Sequence, residues 1–158
     1  MALTASWTHG NVTELEFPNN PSVLRIPRGW GAEFYFPRGE NSTAAWLHIP
    51  IPTPVIISDV RGNVFRFFLL FSCDPNLGTI DTVQLYDGPN IVQSFSVFLG
   101  GLGFLNQILP QNTFSLSAPH SVAFGLSISF HYSTSIDTGG QPTTALLTVS
   151  TAGCDFTF

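Results

Sequence analysis

Apolar and polar residues alternate with a period of two over most of this chain. The longest clean run sets Phe124, Leu126, Ile128, Phe130 and Tyr132 against Gly125, Ser127, Ser129, His131 and Ser133. Successive side chains of a strand point to opposite faces, so this run predicts a strand with one buried and one polar face. The same alternation predicts strands over residues 3–7, with Leu3, Ala5 and Trp7 sharing the apolar face, and over 12–17, with Glu14 and Glu16 in water. Over 32–36 it places Ala32, Phe34 and Phe36 opposite Glu33 and Tyr35. Asp87-Gly88 lies between alternating segments at 80–86 and 91–98, and that dipeptide predicts a hairpin turn. A last strand is expected over 144–151, leading into Ala-Gly-Cys-Asp-Phe156.

Other segments depart from this pattern. In residues 63–73 both faces are apolar, with Phe65, Phe67, Leu69 and Phe71 on one and Val64, Phe68 and Leu70 on the other, Arg66 being the exception. Such a strand is central, its outer face covered either by the chain itself or by another subunit. Before it, Trp46-Leu-His-Ile-Pro-Ile-Pro-Thr-Pro has prolines at alternate positions, which remove backbone donors and predict an edge strand. A minor edge strand is expected at 23–26, bounded by Pro27, and a turn at Pro119-His120. Residues 99–109 are apolar yet contain Gly100, Gly101 and Gly103, which argues for a loop, with a turn of helix after Gly103 as an addition. No helical period persists. Ten to twelve short strands punctuated by glycine and proline predict one all-β domain over residues 1–158, a single-domain antiparallel β-sandwich of jelly-roll type.

Composition sharpens the picture. Charged residues make up 9% of the chain, against about 25% in an average domain, while 44% of residues are hydrophobic and 13% aromatic. Apolar surface is therefore expected to remain near solvent or to be covered by a second chain. There is no lysine, and five arginines face ten carboxylates for a formal charge of −5. No basic cluster can neutralise phosphates, so nucleic acid is not expected as a partner and an anionic membrane surface is disfavoured. The sequence as given has no basic and apolar leader and no run long enough to span a membrane, from which a cytoplasmic location is expected. Cys73 and Cys154 read as buried free thiols, with a bridge between them as the competing reading.

Candidate chemistry is sparse. The four histidines have no metal-ligand spacing, and Asp74, Asn76, Asp87 and Asn90 are explained by turns rather than by calcium, so no metal or other cofactor is assigned. Neighbours two apart on one strand, such as Ser129 and His131, cannot serve as nucleophile and base, and no catalytic residue is assigned. A ligand groove is expected from exposed aromatics beside polar groups, at Trp30, Glu33, Tyr35, Trp46 and His48, with core packing as the competing role for Trp30 and a structural hydrogen bond for His48. A partner interface is expected at Phe68, Leu70, Phe95, Phe98, Leu102, Phe104 and Leu105, with closure of the core by the 99–109 loop as the competing reading. The expected function is a non-enzymatic module acting by self-association or protein binding, as a homo-oligomer or with another protein. Lectin-like carbohydrate or small-ligand binding is the alternative, and an enzyme with a hydrophobic substrate ranks last.

Trp46-Leu-His-Ile-Pro-Ile-Pro-Thr-Pro-Val, Val83-Gln-Leu-Tyr-Asp-Gly-Pro-Asn90, Gly125-Leu-Ser-Ile-Ser129 and Thr151-Ala-Gly-Cys-Asp-Phe156 together resemble a family of small uncharacterised microbial all-β proteins. The resemblance implies a stand-alone soluble domain and carries no catalytic or binding residue with it.

Overall fold

The computed structural model describes residues 3–17, 22–104, 106–137, 139 and 143–158, with only the backbone of 102–104. Fourteen strands form among them: β1 (Leu3–His9), β2 (Glu14–Leu15), β3 (Leu24–Arg28), β4 (Gly31–Pro37), β5 (Ala44–Pro50), β6 (Ile56–Ile57), β7 (Val60–Arg61), β8 (Asn63–Cys73), β9 (Gly78–Asp87), β10 (Asn90–Leu99), β11 (Gly101–Phe104), β12 (Thr113–Ser121), β13 (Leu126–Thr134) and β14 (Thr144–Thr157). Fourteen exceeds the expected ten to twelve, and three of the strands, β2, β6 and β7, are only two residues long. All pairs are antiparallel, so the all-β expectation holds.

Two sheets face each other. The smaller has the order β10-β9-β13-β5-β2. The larger follows the path β11-β8-β14-β4-β3, with β1 added to β14 and β12 to β8. The 14 residues of β14 make this branching possible: residues 144–149 pair with β4, residues 151–157 pair with β1, and β8 runs along the other side. Phe34, Phe36, Phe67, Leu69 and Phe71 from the larger sheet meet Leu47, Ile49, Leu85, Phe130 and Tyr132 from the smaller, all fully buried. The Phe36 and Tyr132 rings meet across the gap at 4.7 Å. Fully burying side chains of this kind contributes about 1.5–3 kcal/mol each, which makes this layer the chief source of stability. Cys73 and Cys154 are free and buried within it, as expected, and burial pushes the Cys73 thiol up to about 11.

Several expectations are corrected. Register shifts by one residue in β8, where Arg66 pairs with Asp155 but Val64 with Phe156. This bulge at Phe65 reverses the parity, so Val64 joins Phe67, Leu69 and Phe71 inside. The expected edge strand β5 is second from the edge, because β2 pairs with it at Leu47 and His48 and thereby buries Leu15. The strand expected over 12–17 is shortened to β2 by a 3-10 turn at Gly10–Val12. The strand around Pro27 continues through that residue as β3, and β12 continues through Pro119-His120, absorbing the proline at a register shift between Ser115 and His120. Within the expected loop at 99–109, residues 101–104 instead form β11, which pairs with the far end of β8, beyond the reach of β12. Gly100 is needed for the approach to it, since a Cβ there would lie 2.6 Å from the Pro75 ring.

Candidate functional site

The outer face of the smaller sheet carries the densest polar chemistry. Alternation along β13 sends Ile128 and Phe130 inward and Ser127, Ser129, His131 and Ser133 outward. Pairing with β5 sets Ser129 opposite His48 and His131 opposite Trp46. The His48 Nδ1 and Ser129 Oγ share a hydrogen bond of 2.8 Å, and the Trp46 and His131 rings lie 5.2 Å apart. On the other flank, His131 Nδ1 is 2.9 Å from both Asp81 carboxylate oxygens, to which Ser133 Oγ also donates at 3.2 Å. Tyr86 donates its hydroxyl to Gln84 Oε1 at 3.1 Å. An open groove of about 330 Å³ runs over this ladder, lined by Glu16, His48, Tyr86, Gly88, Ser127 and Ser129. Burial lowers the His48 pKa, only partly countered by the Glu16 charge, so the imidazole is neutral at pH 7.

The outer face of the larger sheet carries an apolar cluster where β1, β14 and β8 lie side by side. Trp7 stacks on Phe68 with ring centroids 5.2 Å apart and planes 15° apart. Gly153 lies between them in register, and a Cβ at that position would come 2.5 Å from the indole. The absent side chain is what lets the tryptophan reach across β14. Next to this stack, Arg66 Nε donates to Asp155 Oδ2 at 2.5 Å, and the guanidinium lies 5.5 Å from the centre of the Phe68 ring. A cavity of about 350 Å³ opens here between Leu3, Trp7, Phe68 and Ile108. The orientation of β1 follows from this: Leu3, Ala5 and Trp7, the face expected inside, point outward, while Thr4, Ser6 and Thr8 face the interior. Ser6 hydrogen-bonds the Pro52 carbonyl, so the loop after β5 satisfies that polar side.

The expected ligand residues do not form one site. Trp30 is 50% exposed at the β3–β4 turn. There Glu33 Oε2 already accepts from Arg28 Nε at 2.8 Å and from the Tyr35 hydroxyl at 3.0 Å; the arginine hydrogen bond chiefly holds the Glu33 pKa down. Trp46 and His48 lie on the opposite side of the sandwich, and only His48 lines the groove. Of the expected interface, Phe68 and Leu70 are buried by the chain itself, Phe95 packs edge-on against Phe67 at 5.6 Å, and Phe98 is 79% exposed. The side chains of Leu102 and Phe104, and Leu105 as a whole, lie outside the described residues.

Sequence reasoning missed Trp7 as an outward residue, and it missed Glu16, Tyr86 and Ser129 as groove residues. The alternation marked Ser129 as outward, but its partner is 81 residues away. Asp87, weighed for calcium, is an internal tie. Its carboxylate accepts backbone N–H groups from Ala123 at 2.7 Å, Phe124 at 2.9 Å and Gly125 at 3.0 Å, and it lies 2.9 Å from His120 Nε2. Burial alone would raise its pKa, but these donors outweigh it and pull the carboxyl down to about 2. No group of histidines, cysteines and carboxylates arranged to hold a metal occurs among the described residues, and no helix among them is long and apolar enough to cross a membrane. Compared with protein-family models and with curated proteins, the chain matches none.

Proposed function

We propose that this chain is a non-enzymatic β-sandwich that associates with a second copy of itself through the free edge of β1 and the apolar surface beside it. The observation that carries this reading is a contrast among sheet edges. Natural sheets blunt their edges with charge, proline, bulges or short strands, because an open edge is a template for pairing. Among the described residues, β3 has Arg25, Pro27 and Arg28, β12 has Pro119 and a register shift, β10 has two shifts, and β2 and β11 are two and four residues long. β1 has none of these devices: its seven residues, Leu-Thr-Ala-Ser-Trp-Thr-His, carry neither proline nor formal charge and pair with β14 in unbroken register.

The strand is also self-complementary. Antiparallel pairing of two β1 strands about a dyad at Ser6 sets Ala5 beside Trp7, Thr4 beside Thr8 and Leu3 beside His9. The large indole then faces a small side chain, and the threonines pair with each other, combinations that favour adjacent strands. Leu3 is 60% exposed and Trp7 36%, so the paired outer faces would join two apolar patches.

Sedimentation velocity and light scattering over a concentration series test this. The expected result is a dimer that dissociates in the micromolar range, roughly −8 kcal/mol of association, and a monomer for Ala5→Lys, which sets two ammonium groups near the dyad and changes only an exposed position. A monomeric wild-type protein at about 100 times that concentration, or a dimer indifferent to Ala5→Lys, would overturn the proposal.

A further inference from the structure

We infer that the groove on the outer face of the smaller sheet binds a neutral oligosaccharide. This site lies across the sandwich from β1 and does not depend on association. Its chemistry selects the ligand by elimination and by fit. No arginine lines the groove, there is no lysine in the chain, and the Glu16 carboxylate stands at its rim, so phosphates, sulfates and uronic acids meet repulsion with no compensating cation. An apolar ligand would strip water from Ser127, His48 and Glu16 without replacing its hydrogen bonds, which is costly.

A sugar supplies what these groups lack. Each hydroxyl both donates and accepts, matching the Ser127 hydroxyl, the imidazole nitrogen of His48 that Ser129 does not engage, and the carboxylate oxygens of Glu16, which make no hydrogen bond among the described residues. Tyr86 provides a ring for the apolar face of a pyranose, and its hydroxyl is already oriented by Gln84. The groove is open rather than enclosed, and Trp46 and the Asp81–His131 pair lie on the same face. That shape suits several residues of a chain laid along the sheet more than a single buried monosaccharide. The wall is preorganised, because Ser129 is buried and bonded to His48 while Ser127 Oγ donates to the Ile49 carbonyl at 3.3 Å.

The test is titration calorimetry of the full chain with cellohexaose, mannohexaose and chitohexaose, with a hyaluronan hexasaccharide as the acidic control. At least one neutral probe is expected to bind at millimolar concentration or below, and the acidic control is not. Tyr86→Ala and His48→Ala are each expected to weaken binding at least tenfold. Glu16→Gln, at an exposed position that does not threaten folding, should weaken it severalfold. Trp30→Ala on the other side of the sandwich should leave it unchanged, as should the Ala5→Lys monomer, which separates this inference from the association reading. Silence from all three neutral probes would overturn it. So would binding that survives both Tyr86→Ala and Glu16→Gln, or binding lost in Trp30→Ala alone.

Discussion

On the larger sheet two outward side chains of β8, Phe68 and Leu70, are apolar, and the chain lays Trp7 of its own first strand over Phe68. On the smaller sheet the outward side chains of β13 are three serines and a histidine, joined to β5 and β9 by hydrogen bonds and left beside solvent. Both faces belong to a chain with very few charges, and they meet that shortage differently. The larger sheet buries Phe68 to 3% exposure and so adds a thin second apolar layer outside the main core, whose outer surface remains apolar. The smaller sheet pairs polar groups with one another, among them the Asp81 carboxylate with His131 and Ser133, which keeps the surface hydrated without lysines. Low charge in a sequence therefore does not by itself mean exposed apolar surface.

The sharpest way to break this comparison is to treat the outer layer as a core. Phe68→Ala is expected to cost about 3–4 kcal/mol in urea unfolding, as a buried phenylalanine would. A loss under about 1 kcal/mol would mean that the Trp7–Phe68 stack is surface decoration.

The two faces are tied by His120 on β12 of the larger sheet and Asp87 on β9 of the smaller, and this link predicts a response to acid. The folded-state pKa of Asp87 is depressed, to about 2. Its stabilisation is thus present above the ordinary carboxylate value of about 3.9 and is lost as the pH falls from there toward 2. Thermal melts should show about 2 kcal/mol disappearing over that window, and Asp87→Asn should already lack it at neutral pH. An acid limb of equal size in both proteins would assign the loss elsewhere. The smallest effect is expected on the polar face: Ser129→Ala removes one hydrogen bond to His48 and should cost about 1 kcal/mol. A cost near that of Phe68→Ala would make the serine–histidine pair a core element, not part of a surface ladder.

The alternation along residues 126–132, 32–36 and 46–49 was sufficient to tell inside from outside, because strands paired on both sides have one face against a core and no freedom to choose the other. The Asp87-Gly88 hairpin was equally legible, since Gly88 adopts the positive φ of 57° that such a turn requires. Where the chain left that regime, local pattern failed. In β8 a single bulge reversed the parity of Val64, and no one-residue signal marks where a bulge will fall. In β1 the apolar face went outward, where the missing side chain of Gly153, nearly 150 residues on, leaves room for the Trp7 ring.

The groove was legible only in part, as an outward row of serines and histidine. Which of them would meet depended on register between β5 and β13, strands more than 70 residues apart. The sequence by itself left open whether the two cysteines pair, but it determined an all-β sandwich, the identity of most core residues and the absence of a basic surface. All of these follow from side-chain chemistry and a period of two. Tertiary structure alone decided which edge stayed open, which apolar face was turned to water and which histidine found a serine. Those outcomes are set by pairings between distant segments, whose free energies no local pattern encodes.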